Sequence, residues 1–176
     1  PNHYLAVSIQ YLFQQREGWR ADAAVGKTLV SSSMIDRVAA DLGRALCEVP
    51  VGFKYVTQAM QEHDALLGGE SSGGLTMRGH ILGKDGVLAS ALITEMIART
   101  GKRISELWAQ IYAITGRLYT AEVNVPATPE MKIVLPRQLQ EVAVEQVDGC
   151  RVARTSNMDG TKFYLENDNW VLLRFS

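Results

Sequence analysis

A chain of 176 residues with 47% hydrophobic and 21% charged content lies in the ordinary globular range, long enough for one medium domain plus a small or incomplete one, and indicates neither disorder nor a fibre. With 18 Lys and Arg against 19 Asp and Glu, the formal net charge of -1 offers no global field for nucleic acid or an anionic membrane, so any phosphate recognition has to be local. Two cysteines, Cys47 and Cys150, stand far apart with no Cys-x-x-Cys spacing, which speaks against a disulfide framework or a zinc site and makes a reducing cytoplasm the default; no apolar run approaches the roughly 18 residues of a membrane span.

Leu5, Ile9, Leu12 and Phe13 recur at helical spacing and predict an opening helix that ends near Gly18. A strand is expected over Val25 to Val30, then a helix running to Gly43 that starts at a capping pair of Ser33 and Asp36. Leu46 to Val49 reads as a second strand, Lys54 to Glu62 as a helix and Ala65 to Leu67 as a third strand. Beyond a glycine-rich stretch, Val87, Ala91, Ile93, Thr94 and Ile97 continue as a helix stopped at Gly101, and Ser105 to Thr115 form another. This alternation predicts a layered α/β/α domain with a largely parallel sheet, covering residues 1–127.

Thr120 to Val125 alternate as a strand does, and Thr128 followed by Pro129 marks the start of a short helix. From Glu141 the hydrophobic period shifts toward two, with Asp148-Gly149, Asp159-Gly160 and Asn167-Asp168-Asn169 as turns between Val152, Phe163, Leu165, Trp170 and Leu172. Residues 128–176 are therefore expected to hold a linker helix and an incomplete α+β domain with an antiparallel meander.

The chemistry concentrates at Leu67-Gly68-Gly69-Glu70-Ser71-Ser72-Gly73-Gly74, where a carboxylate and a hydroxyl stand between glycine pairs. Glycines let backbone curl closely around a small ligand, and a carboxylate accepts from two neighbouring hydroxyls at once, as a vicinal diol on a sugar would offer. In an α/β sheet ligands gather at the carboxyl ends of strands. Lys27 with its serines, Lys54, and Glu70 to Gly74 are all expected within or beside strand-to-helix passages there. Lys27 and Lys54 read equally well as solvated surface lysines, and Arg78 and His80 as exposed residues of the loop that extends the glycine motif. Ser31-Ser32-Ser33 has no evident base tied to it and suits helix capping better than nucleophilic attack.

Gly69-Glu70-Ser71-Ser72-Gly73 resembles the Gly-Glu-x-Ser-Gly loop of the phosphohexomutases, the phosphoglucomutase and phosphomannomutase superfamily. Gly26-Lys27-Thr28-Leu29-Val30-Ser31-Ser32-Ser33, Val51-Gly52-Phe53-Lys54-Tyr55 and Trp170-Val171-Leu172-Leu173-Arg174-Phe175-Ser176 resemble that family too, in the expected order. The resemblance is to the third domain and the start of the fourth, so the chain reads as a fragment nearest to the phosphoglucomutases.

The resemblance implies a parent enzyme, an intramolecular phosphotransferase, that interconverts hexose 1-phosphate and hexose 6-phosphate through a phosphoserine and a hexose bisphosphate such as glucose 1,6-bisphosphate. The phosphoserine segment and the aspartate-rich loop that binds magnesium would lie in domains missing here, leaving no catalytic residue and no metal ligand in this stretch. Glu70 and Ser72, with Gly69, Gly73, Lys54, Lys27, Arg78 and His80, would bind substrate; Arg174 and Ser176 would open a phosphate-binding loop. The competing reading is a freestanding sugar-phosphate-binding module without catalysis.

Overall fold

The computed structural model describes residues 1–175, and the chain divides into two units, Pro1–Tyr119 and Thr120–Ser176.

The first unit is built from α1 (Asn2–Gln15), β1 (Ala24–Thr28), α2 (Ser33–Asp41), β2 (Leu46–Val49), α3 (Phe53–Glu62), β3 (Ala65–Gly69), β4 (Leu75–Met77), α4 (Gly86–Thr100) and α5 (Ile104–Thr115). Its sheet has the order β2-β1-β3-β4, with β1 parallel to both β2 and β3 and β4 antiparallel at the edge. The layered α/β/α fold class is thus the one observed. Leu5, Ile9 and Leu12 of α1, Ile35 and Val38 of α2, Met96 of α4 and Ile111 of α5 share one core with Val25, Leu66 and Leu67 of the sheet. On the opposite face α3 packs alone, through Val56, Ala59 and Met60, against Val49, Ala24 and Ala65.

One irregularity sets which side chain goes where. Ala24 pairs with Ala65 but Val25 with Leu67, so Leu66 is an extra residue in β3 with no opposite number. Leu66 and Leu67 both join the four-helix core, after which alternation resumes: a Cβ on Gly68 would meet Val56 of α3, and one on Gly69 would meet Leu5 of α1.

Local chemistry fixes the helix ends. Ser32, not Ser33, caps α2, its hydroxyl accepting from the Met34 amide at 3.2 Å; Ser33 is already the first helical residue. Asp85 caps α4 by accepting from the amides of Val87 and Leu88, and Gly101 ends that helix in the left-handed region at φ +66°.

The second unit holds α6 (Pro129–Glu141), capped by Thr128, then β5 (Gln146–Val147), β6 (Cys150–Ser156), β7 (Thr161–Leu165) and β8 (Trp170–Leu173). The four strands pair antiparallel in chain order, the expected meander. Phe163 and Leu165 are buried in it, and the buried Lys162 lies 4.6 Å from the ring centres of both Tyr164 and Trp170. The strand expected over Thr120 to Val125 is absent: that stretch has no ladder partner among the described residues, and Val123 and Val125 are exposed. No helix among the described residues is long and apolar enough to cross a membrane.

Candidate functional site

In the first unit the three parallel strands end together. Thr28 of β1 pairs with Val49 of β2, and Lys27 with Gly69 of β3, so the segments that follow, 29–32, 50–54 and 70–74, leave the same edge of the sheet.

The turn at Glu70 is a hairpin between β3 and the antiparallel β4, where the sequence predicts a strand-to-helix passage. The Gly73 amide donates to the Glu70 carbonyl at 2.9 Å and the Glu70 amide to the Gly74 carbonyl at 2.9 Å, which puts Ser71 and Ser72 at the two central positions. Gly73 holds φ at +89°, where a side chain would be strained. Ser72 is exposed at the tip, while Gly69, the last residue of β3, is buried against Leu5.

Glu70 is anchored at one oxygen. Lys84 Nζ donates to its Oε2 at 2.9 Å, while Oε1 has no partner among the described residues. The Glu70 side chain retains 13% of its exposure and that of Lys84 47%. The lysine stem crosses Gly74 so closely that a Cβ there would lie 2.2 Å from Cε. Lys84 is the member of this site that sequence reasoning misses; the signal available is a cation at the entrance to α4, directly before the capping aspartate.

The remaining candidates are not all at this turn. Lys54 is exposed in the first turn of α3, its ammonium 4.7 Å from the Tyr55 ring centre. His80 Nε2 lies 2.8 Å from Asp85 Oδ2, which joins the imidazole to the α4 cap, beside Lys84 in sequence. The hydrogen bond from His80, more than the two cap amides, holds the Asp85 carboxyl below the usual carboxylate range. Arg78 points the other way. Its amide donates to the Leu66 carbonyl and its guanidinium pairs with Asp64, the residue before β3. Leu66 and Glu70 are about 13 Å apart along an extended strand, so Arg78 stands at the amino edge of the sheet rather than the carboxyl edge.

Lys27 is neither at the surface nor open to a ligand. Its side chain is 1% exposed, paired with Asp36 of α2 and, at 3.3 Å, with Glu48 of β2. In the second unit, Arg174 donates to Asp159 Oδ2 at 3.2 Å; Ser176 lies outside the described residues.

A small hollow of about 110 Å³ lined by Val49, Pro50, Tyr55, Gln58 and His63 lies beside α3, away from the turn. A sugar phosphate needs a pocket of about 300 Å³ or more. The Glu70 turn is not part of the lining of that hollow. No group of three or more His, Cys, Asp or Glu among the described residues is arranged to hold a metal ion.

Residues 1–114 match the family described as phosphoglucomutase/phosphomannomutase, alpha/beta/alpha domain III. A phosphoglucomutase of Komagataeibacter xylinus is 46% identical over 140 residues, which are 77% of this chain and 25% of that protein. A phosphoglucomutase/phosphomannomutase of Thermococcus kodakarensis is 30% identical over 149 residues, 85% of this chain and 30% of that protein. Among solved structures, one described as a phosphomannomutase from Thermus thermophilus superposes with a TM-score of 0.75 at 27% identity, over 99% of this chain and 35% of that one. The chain thus spans between a quarter and a third of the length of these curated relatives. Carried by the match over residues 1–114 and by the 46% identity, the conclusion is that this chain belongs to the phosphoglucomutase/phosphomannomutase superfamily and contains its third, α/β/α domain.

Proposed function

We propose that this chain is the sugar-recognition part of a phosphohexomutase that interconverts hexose 1-phosphate and hexose 6-phosphate. The name of the Komagataeibacter xylinus relative favours glucose as the sugar. The observation that carries the reading is Glu70: one carboxylate oxygen is tied to Lys84, and the other remains an open acceptor on the same turn as the exposed Ser72. Two adjacent sugar hydroxyls donating to such a turn would form charge-assisted bonds of about 1.5–3 kcal/mol each, enough to orient a hexose but not to hold it tightly. The substrate's phosphate has to supply the rest.

Gly69 and Gly73 shape the turn, and Lys54, on the same edge of the sheet, is a candidate for substrate oxygens. His80 would act from the start of α4. The phosphate-binding role of Arg174 and Ser176 belongs to the second unit, where Arg174 would exchange Asp159 for the ligand. Arg78 and Lys27 are engaged elsewhere and do not enter the contact set. Phosphoryl transfer through a phosphoserine, with magnesium and glucose 1,6-bisphosphate, would be the work of other domains of the parent protein. Cys47 and Cys150, both free thiols, suit a reducing cytoplasm.

The test is Glu70→Ala in the full-length protein. Turnover of glucose 1-phosphate is expected to fall by about a hundredfold with an unchanged circular dichroism spectrum. Activity within a factor of about two of the parent would sink the assignment.

A further inference from the structure

Lys27 is among the largest side chains wholly buried in this protein, and the proposed contact set makes no use of it. Enclosing an ammonium forfeits most of its hydration, and an apolar side chain of similar size is often at least as stable in such a place. Val25, two residues earlier on the same strand, joins the four-helix core as an ordinary apolar residue. Packing alone therefore gives no reason for a lysine here.

What Lys27 touches gives one. Asp36 lies in the first turn of α2, directly after the turn formed by Ser31 and Ser32; Thr28 and Ser31 share a hydroxyl contact at 3.1 Å, and the Ser32 amide donates to Asn2 Oδ1 at 3.1 Å. Glu48 is the partner of Lys27 across the ladder and lies just before the segment that leads to Lys54. On its other side, Lys27 pairs through the backbone with Gly69, the residue before Glu70. One ammonium thus joins the element behind each of two rim segments and stands in register with the third.

We infer that Lys27 is a positioning residue for the sugar-binding rim: clamped by Asp36 and Glu48, it fixes where the segments 28–33 and 50–54 stand relative to the Glu70 turn. It acts through those segments and does not touch the sugar. Without it, Asp36 and Glu48 would lose the cation that joins them, and α2 and β2 would separate at the edge that carries the site. The inference rests on the sugar-recognition reading above.

The experiment compares Lys27→Met and Lys27→Arg in the full-length protein, by steady-state kinetics with glucose 1-phosphate and by amide hydrogen exchange. Lys27→Met is expected to raise KM about tenfold while kcat stays within about threefold, and to speed exchange in 28–34 and 50–54 but not in 161–173. Lys27→Arg, which restores a cation, is expected to recover most of both effects. Unchanged KM and exchange in a folded Lys27→Met protein, or an arginine variant no better than the methionine one, would overturn the inference. If Lys27→Met does not fold, Asp36→Asn decides by the same two measurements: raised KM with faster exchange in 28–34 supports the clamp, and parental values of both refute it. Should the parent protein itself not turn over glucose 1-phosphate, the sugar reading fails, and the exchange pattern still judges the clamp.

Discussion

The side chain of Lys84 reaches Glu70 only by lying across Gly74: Nζ and Oε2 are 2.9 Å apart, and the carbons between them occupy the space that any Cβ at residue 74 would claim. The lysine orients the carboxylate and the glycine provides the route. Neither relationship depends on a ligand being bound.

Lys84→Met in the full-length protein is expected to raise KM for glucose 1-phosphate by about three- to tenfold, because Glu70 loses the partner that fixes its rotamer. Exposed ion pairs contribute about 0–1 kcal/mol, so the melting temperature should move little. Steady-state kinetics beside a thermal melt separate the two effects; a large fall in Tm with an unaltered KM would make the pair structural only.

Gly74→Ala should reproduce the Lys84→Met phenotype. The added methyl meets Cγ, Cδ and Cε of the lysine, all within 2.8 Å, so the stem has to leave its track. Combining the two substitutions is expected to cost scarcely more than either alone, the mark of residues acting through one contact. Additive losses in the double-variant kinetics would show that Gly74 acts independently of Lys84.

The α1 and α4 helices are joined by Glu95, which accepts both guanidinium nitrogens of Arg16 at 2.9 Å each and the Tyr11 hydroxyl at 2.7 Å. The bonds from Arg16, chiefly, hold the Glu95 carboxyl below the usual carboxylate range. A depressed folded-state value means that its stabilisation is present above the unfolded pKa of about 4.3 and is lost as pH falls through the lower folded value. Glu95→Gln is expected to cost about 1 kcal/mol near neutrality and to narrow its deficit from the parent as the solution is acidified below about pH 4. Thermal melts from about pH 7 down to about pH 3 check this; parallel curves would contradict it.

On the opposite face, Gly68→Ala would press a methyl to 2.3 Å from Val56 Cγ1 of α3. A loss of about 1–3 kcal/mol is expected, measurable as a lower denaturant midpoint.

The helices and the three parallel strands are readable in the sequence because their hydrophobic periods are long enough to count and their caps are local. β4 is not: Leu75-Thr76-Met77 is three residues, too few to show a period. The consequence falls on Arg78, which stands close to Glu70 in sequence but is carried to the far edge by the reversal of the chain. The alternation of Thr120 to Val125 misleads in the opposite sense, since period two without a pairing partner does not make a strand. Lys27 reads as a possible ligand because its burial depends on Asp36 and Glu48, which the chain brings to it only by folding α2 and β2 around β1. The turn that carries Glu70 and Ser72 is legible from its flanking glycines, whereas the Lys84 contact requires the path over Gly74.

The extra residue at Leu66 also works as a parity setting for everything downstream on β3. Side chains alternate along a regular strand, so the same residues run without that irregularity would exchange the sides taken by each position from Leu67 onward. The glycine now against Val56 would then face Leu5, and the carboxylate of Glu70 would emerge from the sheet on the side away from its present one. Loss of one of the two leucines would thus leave every later position on its present side, whereas loss of Gly68 would not, although either deletion shortens the strand equally.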